Sequence, residues 1–325
     1  MYKDVNTEKA IKTKISNPWT AKDLEEVTKT LKNNQTRDPN GMINEIFKKN
    51  VMGQDLQLAV IELMNGIKLT FDFPEYMELA NISTLYKNKG SRYDLENDRG
   101  IFILTVLRKI LDKLIYKEKY PGIESNMSDS NIGARRGKNI KKHLFVLYGI
   151  MNSVIVEEKS CVDIQIYNIV KAFDSLWLED CMNDMFDNLP SEQQDDKLAL
   201  VNESNRNNLV AVNTAAGLTD RVNISRVVMQ GGVFGSLQCA NSIDTLGKKC
   251  YNTGKHLFTY KNMVKIMPLS MVDDILAVAR CSKESLEVNT YINAQIELKK
   301  LTFYTTDKKG KSKCNVMHVG KKNHL

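Results

Sequence analysis

Paired cysteines are the first thing this sequence lacks. Cys161, Cys181, Cys239, Cys250, Cys281 and Cys314 include no Cys-x-x-Cys pair, and His143, His256, His318 and His324 stand at zinc spacing from none of them. That pattern argues against a structural zinc and fits a reduced, intracellular protein, with nucleus and cytoplasm not distinguished. Long apolar runs are also missing. The longest, Leu144 to Val156, is too short to span a bilayer and contains Asn152 and Ser153, so it is expected to be a core helix. The start, Met1-Tyr2-Lys3-Asp4, has no apolar signal region. Membrane and secreted classes therefore fit poorly. No internal repeat, low-complexity stretch or Pro/Gly linker stands out.

What is present is ordinary globular composition, with 42% apolar and 26% charged residues. A chain of 325 residues is long enough for two structural subdomains. Its net charge of +7 permits a polyanionic partner without demanding one.

Hydrophobic spacing gives a coarse map. Residues 21–32 read as a helix that Thr20 can cap, with Leu24, Val27 and Leu31 on one face. Asp38-Pro39-Asn40-Gly41 is a turn. Helical patterns follow at 54–64 and 106–116, and 82–86 reads as a strand. In the second half, 163–170, 209–212, 222–229 and 315–319 read as strands, and 176–185 and 285–300 as helices. Residues 268–278 form an apolar hairpin with Asp273 and Asp274 at its turn. Strands mixed with helices imply an α+β fold, with a boundary near residue 145.

Two adjacent acids inside an apolar hairpin are costly to bury together unless a cation neutralises them, and Mg²⁺ prefers such oxygens. Taken alone, the pair is equally a solvated acidic turn. Other segments add weight. Lys171-Ala172-Phe173-Asp174 follows a strand and opens a helix, and Gln230-Gly231-Gly232 follows another strand. Asn97-Asp98-Arg99-Gly100 lies upstream, and Lys311-Ser312-Lys313 lies downstream.

This ordered set resembles the conserved blocks of reverse transcriptases of non-LTR retrotransposons, from about Arg37 to Gly320. Asp38 to Met42 looks like the early block. Asn97 and Arg99 look like the fingers block at the incoming nucleotide, and Gly133-Ala134-Arg135-Arg136-Gly137-Lys138 like the basic block before the palm. Asn168 to Asp174 matches the first palm motif, Gln230-Gly231 the second, Met271-Val272-Asp273-Asp274 the aspartate-pair motif and Lys311-Ser312 the late lysine motif. The resemblance implies a palm-and-fingers core with an antiparallel palm sheet packed on helices. Residues 1–145 would be fingers-like and 146–325 palm-like. It implies an RNA-directed DNA polymerase that adds dNTPs to a DNA primer on an RNA template, using two Mg²⁺ ions about 3.5–4 Å apart. Asp273 and Asp274 would be the catalytic metal ligands. Arg99, Phe173, Gln230, Gly231 and Lys311 would meet the nucleotide, with Phe173 as the gate against a 2′-hydroxyl. Arg135, Arg136 and Lys138 would meet nucleic acid.

The sequence departs from the family at one telling place. Asn168 stands where the first palm motif has its aspartate, three residues before Lys171. An amide oxygen carries no charge, so one full negative charge is lost. Asp163, five residues earlier, would be about 16 Å away on the opposite face of a strand, and cannot replace it. Asp174 lies past the strand end. Met271 and Met229 also replace the family's usual aromatic and proline. Polymerase activity is therefore expected to be severely reduced, and a catalytically dead nucleic-acid-binding remnant is the alternative. A relic without function and an RNA-copying polymerase are further readings, the last opposed by Phe173. No thumb, endonuclease or RNase H segment is recognisable between residue 1 and Leu325.

Each singled-out residue also has a mundane reading. Phe173 could be core packing, Gln230-Gly231 a plain turn, and Lys87, Arg99, Lys311 and the Arg135 cluster solvated charges.

Overall fold

The computed structural model describes residues 17–194, 200–201, 208–224, 228–253, 257–261, 263–280, 282–304 and 313–320. The chain divides into two compact units, and the division is discontinuous. One runs up to Ile123 and resumes over Leu189–Gly235; the other comprises Glu124–Asn188 and the chain from Ser236 onward. A single cut near residue 145 does not describe this partition, because the chain returns to the first unit after Asn188.

In the first unit, α1 (Ala21–Lys29) starts at Thr20 with a full capping box. The Thr20 hydroxyl accepts from the Asp23 N–H at 3.3 Å, and Asp23 accepts from the Thr20 N–H at 2.9 Å. Helix α2 (Gln54–Thr70) runs beyond the expected segment, and α3 (Val106–Asn126) well beyond it. The Asp38 turn explains how α3 begins. Asp38 is buried, and its carboxylate accepts from the N–H groups of Asn40, Met42 and Val106, each at 2.8 Å. An acid here meets both the open amides and the positive end of the helix dipole.

Five strands form this unit's sheet: β1 (Leu79–Tyr86), β2 (Asp98–Leu104), β4 (Leu209–Thr214), β5 (Gly217–Leu218) and β6 (Val222–Asn223). β1 is antiparallel to β2 and parallel to β4. Ala80, Phe102, Leu104, Val210 and Met229 form a core against it. The strand expected over 222–229 ends early: Asn223 is its last residue, residues 225–227 lie outside the described set, and Met229 is coil.

The second unit is built on an antiparallel sheet in the order β11-β3-β10-β9: Asn315–Val319, Val162–Asn168, Asp274–Ala279 and Leu269–Met271. A separate hairpin pairs β7 (Phe258–Tyr260) with β8 (Val264–Ile266). The α-helices described in this unit are α4 (Ile140–Asn152), α5 (Ala172–Ser175), α6 (Leu178–Asp187), α7 (Gly235–Thr253) and α8 (Ser282–Leu298). Ile150, Val154, Val162, Phe258 and Val278 form one cluster of its core. The run 144–156 is helical but only half in that core. Leu144, Phe145 and Tyr148 are exposed, because Val146, Leu147 and Ile150 on the other face fill the space over the sheet. Among the described residues no helix is long and apolar enough to cross a membrane.

Candidate functional site

Register decides the geometry in the second unit. Asp274 opens β10 directly opposite Asn168, the last residue of β3, and also pairs with Met271 across the hairpin. Two residues, Val272 and Asp273, therefore make the turn. Val272 has φ +60°, the sign that tight hairpin turns need at their first central position. A β-branched residue is poorly suited to that conformation, at a cost of roughly 1–3 kcal/mol. Asp274 is exposed and Asp273 half-buried.

Asn168 is held on both sides by backbone. Its N–H donates to Cys314 Sγ at 3.3 Å, and its carbonyl accepts from the Tyr304 N–H at 3.0 Å. Its side-chain Nδ2 donates to Asp274 Oδ1 at 3.2 Å. The amide thus offers its donor, not its oxygen, to the neighbouring acid. Behind the turn, Cys239 of α7 is fully buried. Burial, then the charge of Asp273, pushes its thiol well above the ordinary range, so it stays neutral.

The remaining acids of β3 and its neighbourhood serve elsewhere. Asp163 is opposite Ala279 and His318, and its Oδ1 lies 2.7 Å from His318 Nδ1. Its position differs from 168 by an odd number, so it points to the other face of the sheet. Asp174 is exposed on α5. Among the described residues no three His, Cys, Asp or Glu side chains converge so as to hold a metal ion. Two carboxylates plus an amide already turned toward Asp274 do not fit a two-ion Mg²⁺ site.

The other candidate residues fall into two groups. Arg99 is exposed on β2, opposite Leu85. Gln230 reaches the same strand by backbone, its carbonyl accepting from the Phe102 N–H at 2.8 Å. Gly231 follows with φ +107°, and a Cβ there would stand 2.8 Å from the Phe102 carbonyl oxygen. Only glycine permits this approach. Lys87 donates to the Glu96 carbonyl.

Phe173 is half-buried on α5 in the second unit. The basic block is mostly committed inward. Arg135 Nη1 donates to the Ser128 and Asn131 carbonyls at 2.6 and 2.9 Å, and its side chain is 6% exposed. Its planar fork satisfies several carbonyls of its own loop at once. Lys138 pairs with Asp129 at 2.7 Å, and Arg136 is exposed. Lys311 lies outside the described residues.

No family model and no curated protein matches the chain. Solved structures do. An apo telomerase from Candida tropicalis, truncated from its C-terminal domain, matches at 13% identity and a TM-score of 0.50, over 78% of this chain and 52% of that one. Telomerase from Candida tropicalis in complex with a TWJ fragment of telomeric RNA matches at 12% identity and a TM-score of 0.50, over 76% of this chain and 41% of that one. The chain thus spans about half or less of the length of these two neighbours. Telomerase is a reverse transcriptase-related polymerase, and the fold here is reverse-transcriptase-like.

Proposed function

We propose that this chain is the fingers-and-palm core of an RNA-directed DNA polymerase of the non-LTR retrotransposon kind, with its nucleotide-adding chemistry impaired at Asn168. The observation that carries the reading is the Asn168–Asp274 pair. It occupies adjacent antiparallel strands beside a two-residue acidic turn, on a reverse-transcriptase-like fold. In this reading residues 1–145 are fingers-like and residues 146–325 palm-like. Phe173, in the unit that holds Asn168 and Asp274, would police the sugar of a dNTP.

The same pair is compatible with the alternative reading, a catalytically dead nucleic-acid-binding remnant. Asp274 receives a hydrogen bond from a neutral amide, which satisfies part of its oxygen shell without a cation. In that alternative the chain would bind an RNA template paired with a DNA primer without turning it over. Binding of an RNA–DNA hybrid is therefore expected to weaken at least about tenfold between 50 and 200 mM salt. It should be unchanged when EDTA replaces Mg²⁺ at matched ionic strength. Fluorescence anisotropy measures both, and hybrid binding that requires Mg²⁺ would sink the binding-remnant reading.

A further inference from the structure

The turn carrying Asp273 and Asp274 is held in place from outside itself. The segment Ser130–Gly133 runs beside β9 as a parallel strap. Ser270 donates its N–H to the Ser130 carbonyl at 2.9 Å, and Ile132 donates to the Ser270 carbonyl at 3.0 Å. Asn131, fully buried, fastens the strap below. Its Nδ2 donates to the Ala240 carbonyl at 2.7 Å, and its Oδ1 accepts from the Gly133 N–H at 2.9 Å. Arg135 ties the carbonyls of Ser128 and Asn131 together.

At the end of the strap stands Gly133. A Cβ built there would fall well inside 3.0 Å of the Val272 backbone nitrogen and 3.0 Å from the Val272 Cα. These are backbone atoms and cannot swing aside as a side chain would. Gly133 does not have a positive φ, so its need for glycine is steric, not conformational. Val272 does, and a β-branched residue is strained there.

We infer that Gly133 is a positioning residue: its bare backbone lets the strap close on Val272 and so fixes where Asp273 and Asp274 stand against Asn168. The inference rests on the reading of these acids as the functional pair. When a Cβ forces the two apart, the turn yields. The strap has many hydrogen bonds, whereas the turn is two residues long and already strained. Displacement then passes directly to Asp273 and, through it, to Asp274 at the start of β10.

The test is NMR of the folded chain carrying Gly133→Ala, with Gly149→Ala as control. Gly149 lies in α4, where a Cβ meets nothing within 4 Å. In the natural chain the Asn168 side-chain NH₂ signals should respond to the Asp274→Asn substitution, which reports their contact. In Gly133→Ala that response should vanish, while the His318 ring signals still report the Asp163 contact on the same strand. A merely structural glycine would lower the melting temperature and leave both contacts in the folded population. If Gly133→Ala does not fold, Gly133→Ala with Val272→Gly replaces it, since glycine at 272 tolerates a shifted turn. The Asn168 response should be lost there too. An Asn168 response preserved in either folded variant overturns the inference. In the Asn168→Asp background, adding Gly133→Ala should reduce primer extension about a hundredfold, as misplacements near 1 Å do. If Asn168→Asp alone extends nothing, the polymerase reading has failed, and the NMR comparison still judges Gly133.

Discussion

Asn168→Asp is expected to raise RNA-templated primer extension by about a thousandfold over the natural chain, equivalent to about 4 kcal/mol of transition-state stabilisation. The argument is one of charge and orientation. The natural residues place two formal negative charges at the turn, Asp273 and Asp274, beside an amide that donates to Asp274 at 3.2 Å. Aspartate at 168 is nearly the same size and would keep the backbone bonds to Cys314 and Tyr304. It would exchange a donor for an acceptor and restore the third charge the family resemblance implies. Comparable extension by both proteins would show that Asn168 is not the lesion. Extension by neither would count against the polymerase reading itself.

Arg108→Met is expected to cost about 3–5 kcal/mol of stability at pH 7. Arg108 and Asp112 are 1% and 4% exposed, and Arg108 Nε lies 3.1 Å from Asp112 Oδ1 one turn along α3. Methionine preserves much of the volume but leaves a buried carboxylate without its cation. Burial raises the Asp112 pKa above 3.8, and Arg108 opposes that rise. A raised folded value means that this group's stabilising contribution is full below the unfolded pKa and lost as pH rises through the folded one. Removing Arg108 lifts the folded value further, so the deficit should grow from pH 4.5 to pH 7. Urea denaturation at both pH values measures this. Replacing Asp112 with leucine in the same chain should recover most of the loss. Equal deficits at both pH values would mean that lost packing, not the stranded charge, dominates.

Local rules read some of this fold directly. Thr20 was legible as a cap because capping needs only neighbours in sequence, and the partner Asp23 follows the same logic. The acidic hairpin was legible because apolar runs flanked two acids, and β9 and β10 bracket it as expected. Long-range contacts were not legible. Asp38 looked like turn chemistry, yet it also caps a helix that starts at residue 106. Arg135 looked like part of a basic cluster, but charge counting cannot show that loop carbonyls surround it. Gly133 was visible only as one glycine in a basic motif, since its contact with Val272 spans more than a hundred residues. Nor could apolar content tell which face of α4 meets the core; the spacing of Val146, Leu147 and Ile150 held that signal.

The most direct measurement is thermal unfolding of the natural chain and Asn168→Asp, each in EDTA and across a Mg²⁺ titration. In EDTA the variant should melt lower, because aspartates would then face each other across β3 and β10. Mg²⁺ should recover the variant, by about 1.4 kcal/mol once it reaches roughly ten times its Kd. The natural chain should hardly respond, because Asn168 already occupies Asp274. A natural chain that gains as much from Mg²⁺ as the variant, with the same midpoint, would contradict the claim that Asn168 disables the metal site.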